Sequence, residues 1–204
     1  MQRDAPSQSR NWGENNHALY LIIKRLMDLV GGLIGLVFTT LVFLPTAIAI
    51  KLDSPGPVIF AQERVGKNER TFRLFKFRTM YVNSGGNGLK PCQNDDRVTP
   101  VGGFLRRTSV DELPQFYNVL VGDMSLVGPR PELAALLDCY QTWQTRRFDV
   151  KPGLTGWWQV NGRKQPMHAH INEDIYYVDH ASLSLDLQIL WRTVGAVLRG
   201  DGAI

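Results

Sequence analysis

The chain has 204 residues, enough for one domain with a real hydrophobic core and hardly enough for two. Hydrophobic residues make up 44% and charged residues 21%, a globular balance that excludes a disordered chain. The formal net charge of +4 favours anionic partners such as lipid head groups or nucleotides, and without a nucleic-acid-binding motif we expect no nucleic-acid partner. The two cysteines, Cys92 and Cys139, are too few for a disulfide framework and predict reduced thiols on the cytoplasmic side.

The N-terminal part of the chain predicts one membrane segment. Residues 1–18 are polar and lack periodicity, so we expect a mobile tail, followed by a single domain over 19–204. An uncharged apolar run of 22 residues extends from Leu29 to Ile50, within a predicted membrane helix at 26–50. This run is long enough to cross a bilayer core of about 30 Å. A secretory signal peptide is disfavoured, because the run is too long and its leader too long and polar.

A spanning helix and a re-entrant helix, which bends and returns to the same face, both fit this run. Pro45 removes an amide donor, so we expect a kink, and Thr39 and Thr40 can satisfy carbonyls near the bend. Lys24-Arg25 and Lys51 place basic residues at both ends, which suits a hairpin with both ends in the cytoplasm. From the residues alone, the two topologies stay open.

A β-hairpin is predicted after this segment. Its strands are Val58-Ile59-Phe60 and Thr71–Arg78, and Gly66-Lys67-Asn68 forms the turn between them. Alternation places Lys76 and Arg78 on one face of the second strand, opposite Arg73, Phe75 and Phe77. Lys76 is a candidate site residue, although a lysine at a sheet edge can also simply extend its ammonium to water.

The stretch from Arg106 to Glu132 contains the main candidate site. Asp111 and Glu112 are adjacent acids between basic residues, Arg106-Arg107 before them and Arg130 after. Arg130 lies between two prolines, which limit how its segment can bend. We expect carboxylates held among cations to stay ionised, and the cations to attract phosphate. A structural interpretation competes, because Ser109-Val-Asp-Glu112 is also a capping box that can open a helix.

The segment after Arg130 predicts an amphipathic stretch and, at 151–158, a rigid loop that ends in two adjacent tryptophans. Apolar residues recur at helical spacing between Leu133 and Trp143, as part of the core or as a membrane-facing stripe. Trp157 and Trp158 fit either the core or the level of the lipid head groups. Arg163 is a further candidate phosphate ligand.

A final helix is predicted near the C-terminus. Ser182 or Ser184 can cap it, and its apolar positions include Leu187 and Leu190. Asp186 lies in the first turn, where the helix dipole stabilises a carboxylate, so a purely structural role would explain this residue.

Three ordered motifs resemble those of a known family. They are Ser-Val-Asp-Glu-Leu-Pro-Gln at 109–115, Gly-Asp-Met-Ser-Leu-Val-Gly-Pro-Arg-Pro at 122–131 and Lys-Pro-Gly-Leu-Thr-Gly at 151–156. The chain resembles the bacterial sugar transferases, the monotopic phosphoglycosyl transferases, from about Lys24 to about Leu198.

The resemblance implies an α+β fold. An N-terminal re-entrant membrane helix would precede a mostly helical cytoplasmic domain with a small β-hairpin or sheet and amphipathic helices at the membrane surface. The family usually breaks its membrane helix at a Ser-Pro pair where this chain has Thr40-Leu41. We therefore expect Pro45 to move the bend or to leave the helix straighter.

The resemblance also implies an enzyme on the cytoplasmic face of the bacterial inner membrane. It would move a sugar-1-phosphate from a nucleotide sugar, UDP-linked in our prediction, to a polyprenol phosphate such as undecaprenyl phosphate. This is the first membrane step of glycan or exopolysaccharide assembly. By resemblance, Asp111 is the nucleophile and binds Mg²⁺, Glu112 assists proton transfer, Lys76 and Arg130 hold phosphates, and Asp186 belongs to the substrate-binding site.

Two other functions are compatible with the same residues. A membrane-bound phosphatase or nucleotidase would use the acids and cations with water as acceptor. A membrane-anchored module without enzymatic activity would bind nucleotide or lipid. The sequence leaves the sugar, the base and the oligomeric state open, a homodimer included. We expect the chain to be a catalytic core with a short leader and no second domain.

Overall fold

The computed structural model describes residues 14–82, 95–161 and 171–199. The first half contains α1 (Glu14–Asp53), β1 (Ile59–Val65), β2 (Thr71–Phe77), α2 (Pro100–Arg107) and α3 (Gln115–Val121). The second half contains β3 (Ser125–Val127), β4 (Glu132–Leu133), β5 (Gly153–Thr155), α4 (Trp157–Asn161), α5 (Ile171–His180) and α6 (Leu183–Leu198). Short 3₁₀ helices cover Lys67–Glu69, Val110–Glu112, Ala134–Cys139 and Gln144–Asp149.

Two small sheets confirm the predicted mixture of helices and strands. The first has the order β2-β1-β4 with antiparallel neighbours, and the second pairs β3 with β5 in parallel. The predicted hairpin is confirmed, with Ile59 opposite Phe77 at one end and Val65 opposite Thr71 at the other. The predicted cap of the last helix is confirmed too, because the Leu185 N–H donates to Ser182 Oγ (3.4 Å).

The apolar repeat between Leu133 and Trp143 does not form an α-helix. Its residues form a 3₁₀ helix, Ala134–Cys139, and a turn. The Tyr140 hydroxyl donates to Glu132 Oε2 (2.6 Å), which ties the segment back to β4 and prevents it from continuing straight. Trp143 is largely exposed.

The first helix is longer than predicted. It begins by Glu14, so residues 14–18, which we assigned to the tail, are helical. Its 40 residues extend about 60 Å at the usual helical rise, and it continues through Pro45 without interruption. The part from His17 to Asp53 is long and apolar enough to cross a membrane. The structure thus shows one long apolar helix that could span a membrane, and a re-entrant course stays a prediction.

One face of α1 presents large apolar side chains away from the rest of the protein. These exposed residues are Leu19, Leu21, Ile22, Leu26, Leu29, Val30, Leu33, Ile34, Val37, Phe38, Leu41, Phe43, Leu44, Ile48 and Leu52. Their distribution over about nine turns is typical of a helix in contact with lipid along most of its length.

The opposite face of α1 is buried against the domain. Its buried residues recur at helical spacing and are small or polar except for the apolar Ile50 near the end: Asp28, Gly32, Gly35, Thr39, Thr46 and Ile50. The closest approach is at Gly35, where an added Cβ would lie 2.3 Å from Cδ1 of Phe116 in α3. The glycines therefore allow α3 and the strand after it to pack directly on the helix backbone.

Most of the buried apolar residues within the described ranges fall into three clusters. The largest joins β3, α5 and α6, the second joins α1, β2 and α2, and the third joins β2 to α3. Trp158 is also buried, whereas Trp157 is half-buried and stacks on Tyr176. Of the two interpretations of this tryptophan pair, the core holds for Trp158.

Replacing Gly35 by alanine should lower the stability of the fold, because the new methyl group displaces the Phe116 ring. We expect a loss of about 1–3 kcal/mol, measured as a lower thermal unfolding temperature in detergent. Gly103→Ala in α2 is the matched control, since nothing lies within 4 Å of its Cβ position. That change should be neutral or stabilise by up to about 1 kcal/mol through helix propensity. Equal effects of the two substitutions would contradict the close packing of α3 on α1.

Candidate active site

Four separate parts of the chain bring charged side chains together at one place. β1 carries Arg64 and β2 carries Lys76. The 3₁₀ turn Val110–Glu112 carries both acids, and the loop between β3 and β4 carries Arg130. Arg64, Arg130 and both acids act on the pKa of Lys76, so all of them lie within electrostatic range of its ammonium group.

The turn that carries the acids is not a capped helix start. Ser109 has left-handed backbone angles (φ 57°), and its side chain makes no capping hydrogen bond, so the capping-box interpretation is wrong. A left-handed serine costs about 1 kcal/mol, which the surrounding contacts must offset. Two residues after Asp111, the carbonyl of Leu113 lies 3.1 Å from Thr39 Oγ1 of α1. The membrane helix thus contacts the turn that holds the acids.

Asp111 is buried, with 8% of its surface exposed. Burial and then the neighbouring Glu112 raise its pKa to about 7, while Lys76, Arg106 and Arg130 oppose this shift. Our expectation that carboxylates among cations stay ionised is therefore wrong for Asp111 without a ligand. Desolvation of the carboxylate outweighs the attraction of the three cations.

Lys76 lies on the edge strand β2, yet it does not simply extend into water. The pKa of Lys76 is lowered to about 8, mainly because the side chain is buried, and the nearby guanidinium groups of Arg130 and Arg64 contribute to this shift. Asp111 and Glu112 act in the opposite direction. The ammonium group also lies 5.7 Å from the ring centre of Phe60 on β1. Lys76 and Asp111 consequently change charge close to neutral pH.

Arg130 forms an ion pair with Glu112 at 2.9 Å. Glu112 is the main cause that raises the pKa of Arg130. The predicted grouping of Asp111, Glu112, Lys76 and Arg130 is therefore present in the structure. Their roles toward a substrate stay predictions.

Sequence reasoning missed Arg64 and gave Arg106 no individual role. Burial and then Arg130 lower the pKa of Arg64 to about 10. Burial also lowers the pKa of Arg106. The charge of Arg106 in turn lowers the pKa of Asp111. The register of the hairpin could have identified Arg64. Phe60 pairs with Lys76, and Arg64 follows Phe60 by four residues, so both cations lie on one face of the sheet.

Asp186 lies in a different buried cluster. Its side chain is fully buried and receives hydrogen bonds from Lys24 Nζ (2.8 Å), Tyr177 Oη (2.7 Å) and Tyr20 Oη (3.2 Å). It is not among the groups that act on the pKa of Asp111. This geometry gives the predicted role in substrate binding no support, since the carboxylate joins α6 to α1 and α5 and has no surface for a ligand.

The basic pair before the apolar run is also engaged by the domain. Lys24 additionally donates to the carbonyl of Val127 (3.0 Å). Arg25 donates to the carbonyls of Val119 (2.9 Å) and Leu120 (2.7 Å), where it caps the C-terminus of α3. We interpreted this pair as flanking charges of a membrane segment. The structure adds protein partners for both side chains, and their place at the membrane boundary stays a prediction.

The other candidates lie apart from this cluster or outside the described residues. Arg163 and Cys92 belong to the second group. Cys139 is an exposed free thiol. Within 14–82, 95–161 and 171–199, no three His, Cys, Asp or Glu residues are grouped so that they could hold a metal ion.

A Mg²⁺ ion fits the acid pair only together with further ligands. This ion is commonly held by one or two carboxylates together with substrate phosphates and water. Asp111 and Glu112 supply two adjacent carboxylates, and because cations already surround them, a bound Mg²⁺ would need the negative charge of a phosphate ligand beside it. The chain could therefore hold Mg²⁺ at Asp111 once a phosphate ligand is bound.

The chain combines a long apolar helix with a domain that contains a buried cluster of acids and cations. This combination is expected of a membrane-associated protein. Comparison with known sequences is more specific. The family model described as bacterial sugar transferase matches residues 19–200, and the chain belongs to this family.

Several characterised and uncharacterised proteins are similar to the chain. It is 44% identical to a UDP-N-acetylgalactosamine-undecaprenyl-phosphate N-acetylgalactosaminephosphotransferase of Aeromonas hydrophila, over 91% of this chain and 46% of that protein. It is 42% identical to the UDP-glucose:undecaprenyl-phosphate glucose-1-phosphate transferase of Escherichia coli, over 85% and 39%. It is 44% identical to the uncharacterized sugar transferase EpsL of Bacillus subtilis, over 89% and 90%. The chain thus spans less than half of the first two proteins and most of the third.

Substitutions at Lys24 and Asp186 should separate a structural role of Asp186 from substrate binding. Asp186→Ala leaves the Lys24 ammonium group without its anionic partner, and we expect a loss of about 3–5 kcal/mol of stability. The double variant Lys24→Met with Asp186→Leu should recover most of the unfolding temperature, because neither charge remains. Thermal unfolding in detergent measures both. Normal stability of Asp186→Ala together with weaker ligand binding would favour the substrate-binding role instead.

Proposed function

We propose that this protein transfers a sugar-1-phosphate from a nucleotide sugar, with UDP as the nucleotide, to a polyprenol phosphate in the membrane. The observation that carries the proposal is the buried carboxylate of Asp111, surrounded by cations on a turn that contacts the membrane helix. Membership of the bacterial sugar transferase family and the substrates in the names of the relatives support it.

The proposed reaction has two steps. In the first, an oxygen of the ionised Asp111 carboxylate attacks the sugar-bearing phosphorus, and the bond to the other phosphate breaks. The nucleoside monophosphate leaves with the electron pair, and the phosphosugar remains on Asp111 as an acyl phosphate. In the second, an oxygen of the polyprenol phosphate attacks the same phosphorus and releases the carboxylate. One difficult transfer thereby becomes two easier ones.

The surrounding residues support these steps through charge. Lys76 and Arg130 bind phosphate oxygens, and their positive charge stabilises the charge that develops as the phosphoanhydride breaks. Glu112 holds Arg130 through their ion pair and, by family resemblance, assists proton transfer. Mg²⁺ at Asp111 would supply further charge neutralisation for the pyrophosphate when the donor is bound.

We further propose that both ends of α1 lie on the cytoplasmic face, as in a re-entrant helix. Near its start, Tyr20 and Lys24 bind Asp186. At its other end, Arg78 donates to the carbonyl of Ser54 (2.6 Å), just beyond the helix. Since both ends contact one domain, a helix that crossed the bilayer would have to carry that domain into the lipid. The apolar outer face of α1, and exposed Leu187, Trp191 and Val194 of α6, would then face the membrane.

Labelling of single cysteines from outside the cell tests this topology. Exposed positions near the two ends are His17 and Lys51, to be changed to cysteine after Cys92 and Cys139 are replaced by serine. We expect an impermeant maleimide to label neither position in intact cells and both after permeabilisation. Labelling of position 17 alone in intact cells would establish a spanning helix.

A covalent phosphosugar on Asp111 is the central expectation. Purified protein with Mg²⁺ and a panel of UDP sugars, without lipid, should gain the mass of one phosphosugar and release UMP. The adduct should be absent in Asp111→Asn and should disappear when undecaprenyl phosphate is added. An adduct on Glu112, or UMP release only when both substrates are present, would overturn the mechanism. Release of free sugar phosphate without lipid would favour a phosphatase, and absence of any turnover a binding module.

The pH dependence of adduct formation should reflect the two shifted pKa values. Asp111 attacks only when ionised. Its pKa is about 7 in the free site, and Mg²⁺ bound at Asp111 would lower it, so the rate should rise with pH at a point below 7. Lys76 binds phosphate best when protonated, so the rate should fall above about 8. Lys76→Arg keeps the positive charge to much higher pH, and it should remove the fall at alkaline pH while leaving the rise at lower pH. An unchanged alkaline limb in this variant would show that another group causes it.

A further inference from the structure

We propose that Arg147 is a positioning residue that fixes Arg130 in the active site. The inference rests on the proposed function, in which Arg130 binds a phosphate of the donor. Arg147 itself is 1% exposed and has no surface for a substrate, so it acts only through the groups that it holds.

Arg147 binds the backbone of Arg130 and three neighbouring side chains. Its Nη2 donates to the backbone carbonyl of Arg130 (2.8 Å) and lies 2.7 Å from Oδ2 of Asp174 in α5. Its Nη1 donates to Glu132 Oε2 (3.2 Å) and to the hydroxyl of Tyr140. One planar guanidinium group therefore connects the loop between β3 and β4, which carries Arg130, with β4 and α5.

Three consecutive carbonyls of this loop are held by three different parts of the chain. The Pro129 carbonyl accepts from the Gly153 N–H (2.8 Å), the Arg130 carbonyl from Arg147, and the Pro131 carbonyl from Arg64 (3.2 Å). The prolines on both sides of Arg130 also fix their own φ angles. The backbone of Arg130 is thus held in place, and its guanidinium group reaches Glu112 at 2.9 Å.

A buried arginine with two carboxylates is a poor means of stabilising a fold. Desolvation of such a group can exceed the energy that its ion pairs supply, and a well-packed apolar core often serves as well. What arginine offers here is geometry, because its rigid fork can donate to the Arg130 carbonyl and the Glu132 carboxylate together. A lysine keeps the charge but carries all of its donors on one nitrogen atom.

The test is a double-mutant cycle between Arg147→Lys and Arg130→Ala in the full chain. Two quantities are measured with Mg²⁺: the affinity for inorganic pyrophosphate by calorimetry, and the rate of adduct formation with the UDP sugar that reacts. Thermal unfolding is recorded separately for every variant. Arg146→Lys is the matched control, since the neighbouring Arg146 makes only a half-exposed ion pair with Asp179.

We expect Arg147→Lys to weaken pyrophosphate binding and slow adduct formation by about 10- to 100-fold, as for a misplaced catalytic group. In the Arg130→Ala background the same substitution should have no further effect on either quantity, although any loss of stability should persist. Arg146→Lys should change neither quantity. Equal losses in both backgrounds, or a lower unfolding temperature with unchanged binding and rate, would overturn the proposal. An unchanged affinity in Arg130→Ala would overturn it as well.

Two further outcomes are distinguished by the same experiment. Coupled losses of pyrophosphate affinity without an adduct from any UDP sugar would reject the proposed reaction and retain the positioning role. If Arg147→Lys does not fold, Tyr140→Phe takes its place in the cycle, because it removes the hydroxyl shared by Arg147 and Glu132. It should weaken binding by about 5-fold, again only when Arg130 is present.

Discussion

The packing of α1 along the domain is the constraint on which the other features depend. Its buried face is made of glycines and small or polar residues, and these allow direct contact with α3 and β3. Asp28 accepts hydrogen bonds from Ser125 and Leu126, and Thr39 contacts the turn that follows Asp111. A helix that is apolar on its outer face is therefore part of the core on its inner one. This arrangement keeps the acid and cation cluster close to the long apolar helix.

Burial also decides the charge of the active site. It moves the pKa of Asp111 upward and that of Lys76 downward, so each group is closer to its neutral form than it would be in water. Lys76, Arg64, Arg106 and Arg130 outnumber the two acids of the turn. A phosphoanhydride, with its dense negative charge, would balance this excess. The unliganded site is thus polarised toward an anionic substrate before one arrives.

Much of this arrangement could be predicted from the sequence, and the reason is that its signals are local. Alternation defined the hairpin, and the serine before an apolar repeat marked the start of α6. The residues around Asp111 and Arg130 were recognisable because they lie within ordered motifs. The left-handed Ser109 was missed, since its neighbours satisfy a capping pattern that the tertiary structure overrides.

The contacts that sequence reasoning missed are long-range pairs of charges. Lys24 and Asp186 are 162 positions apart, and no periodicity connects them. A basic pair before an apolar run is ordinarily a flanking charge, so Lys24 and Arg25 gave no sign of their partners. Arg147 was equally inconspicuous, because the adjacent Arg146 has the same side chain and a surface position.

The capping of α3 by Arg25 has a practical consequence for handling this protein. Removing α1 to obtain a soluble catalytic fragment would uncover the carbonyls of Val119 and Leu120, and it would leave Asp186 without its cation. It would also expose the Phe116 ring that now rests on Gly35. Such a fragment would begin with an incomplete core. The contacts of α1 thus make it part of the core of the domain, and its exposed apolar face calls for detergent or lipid during purification.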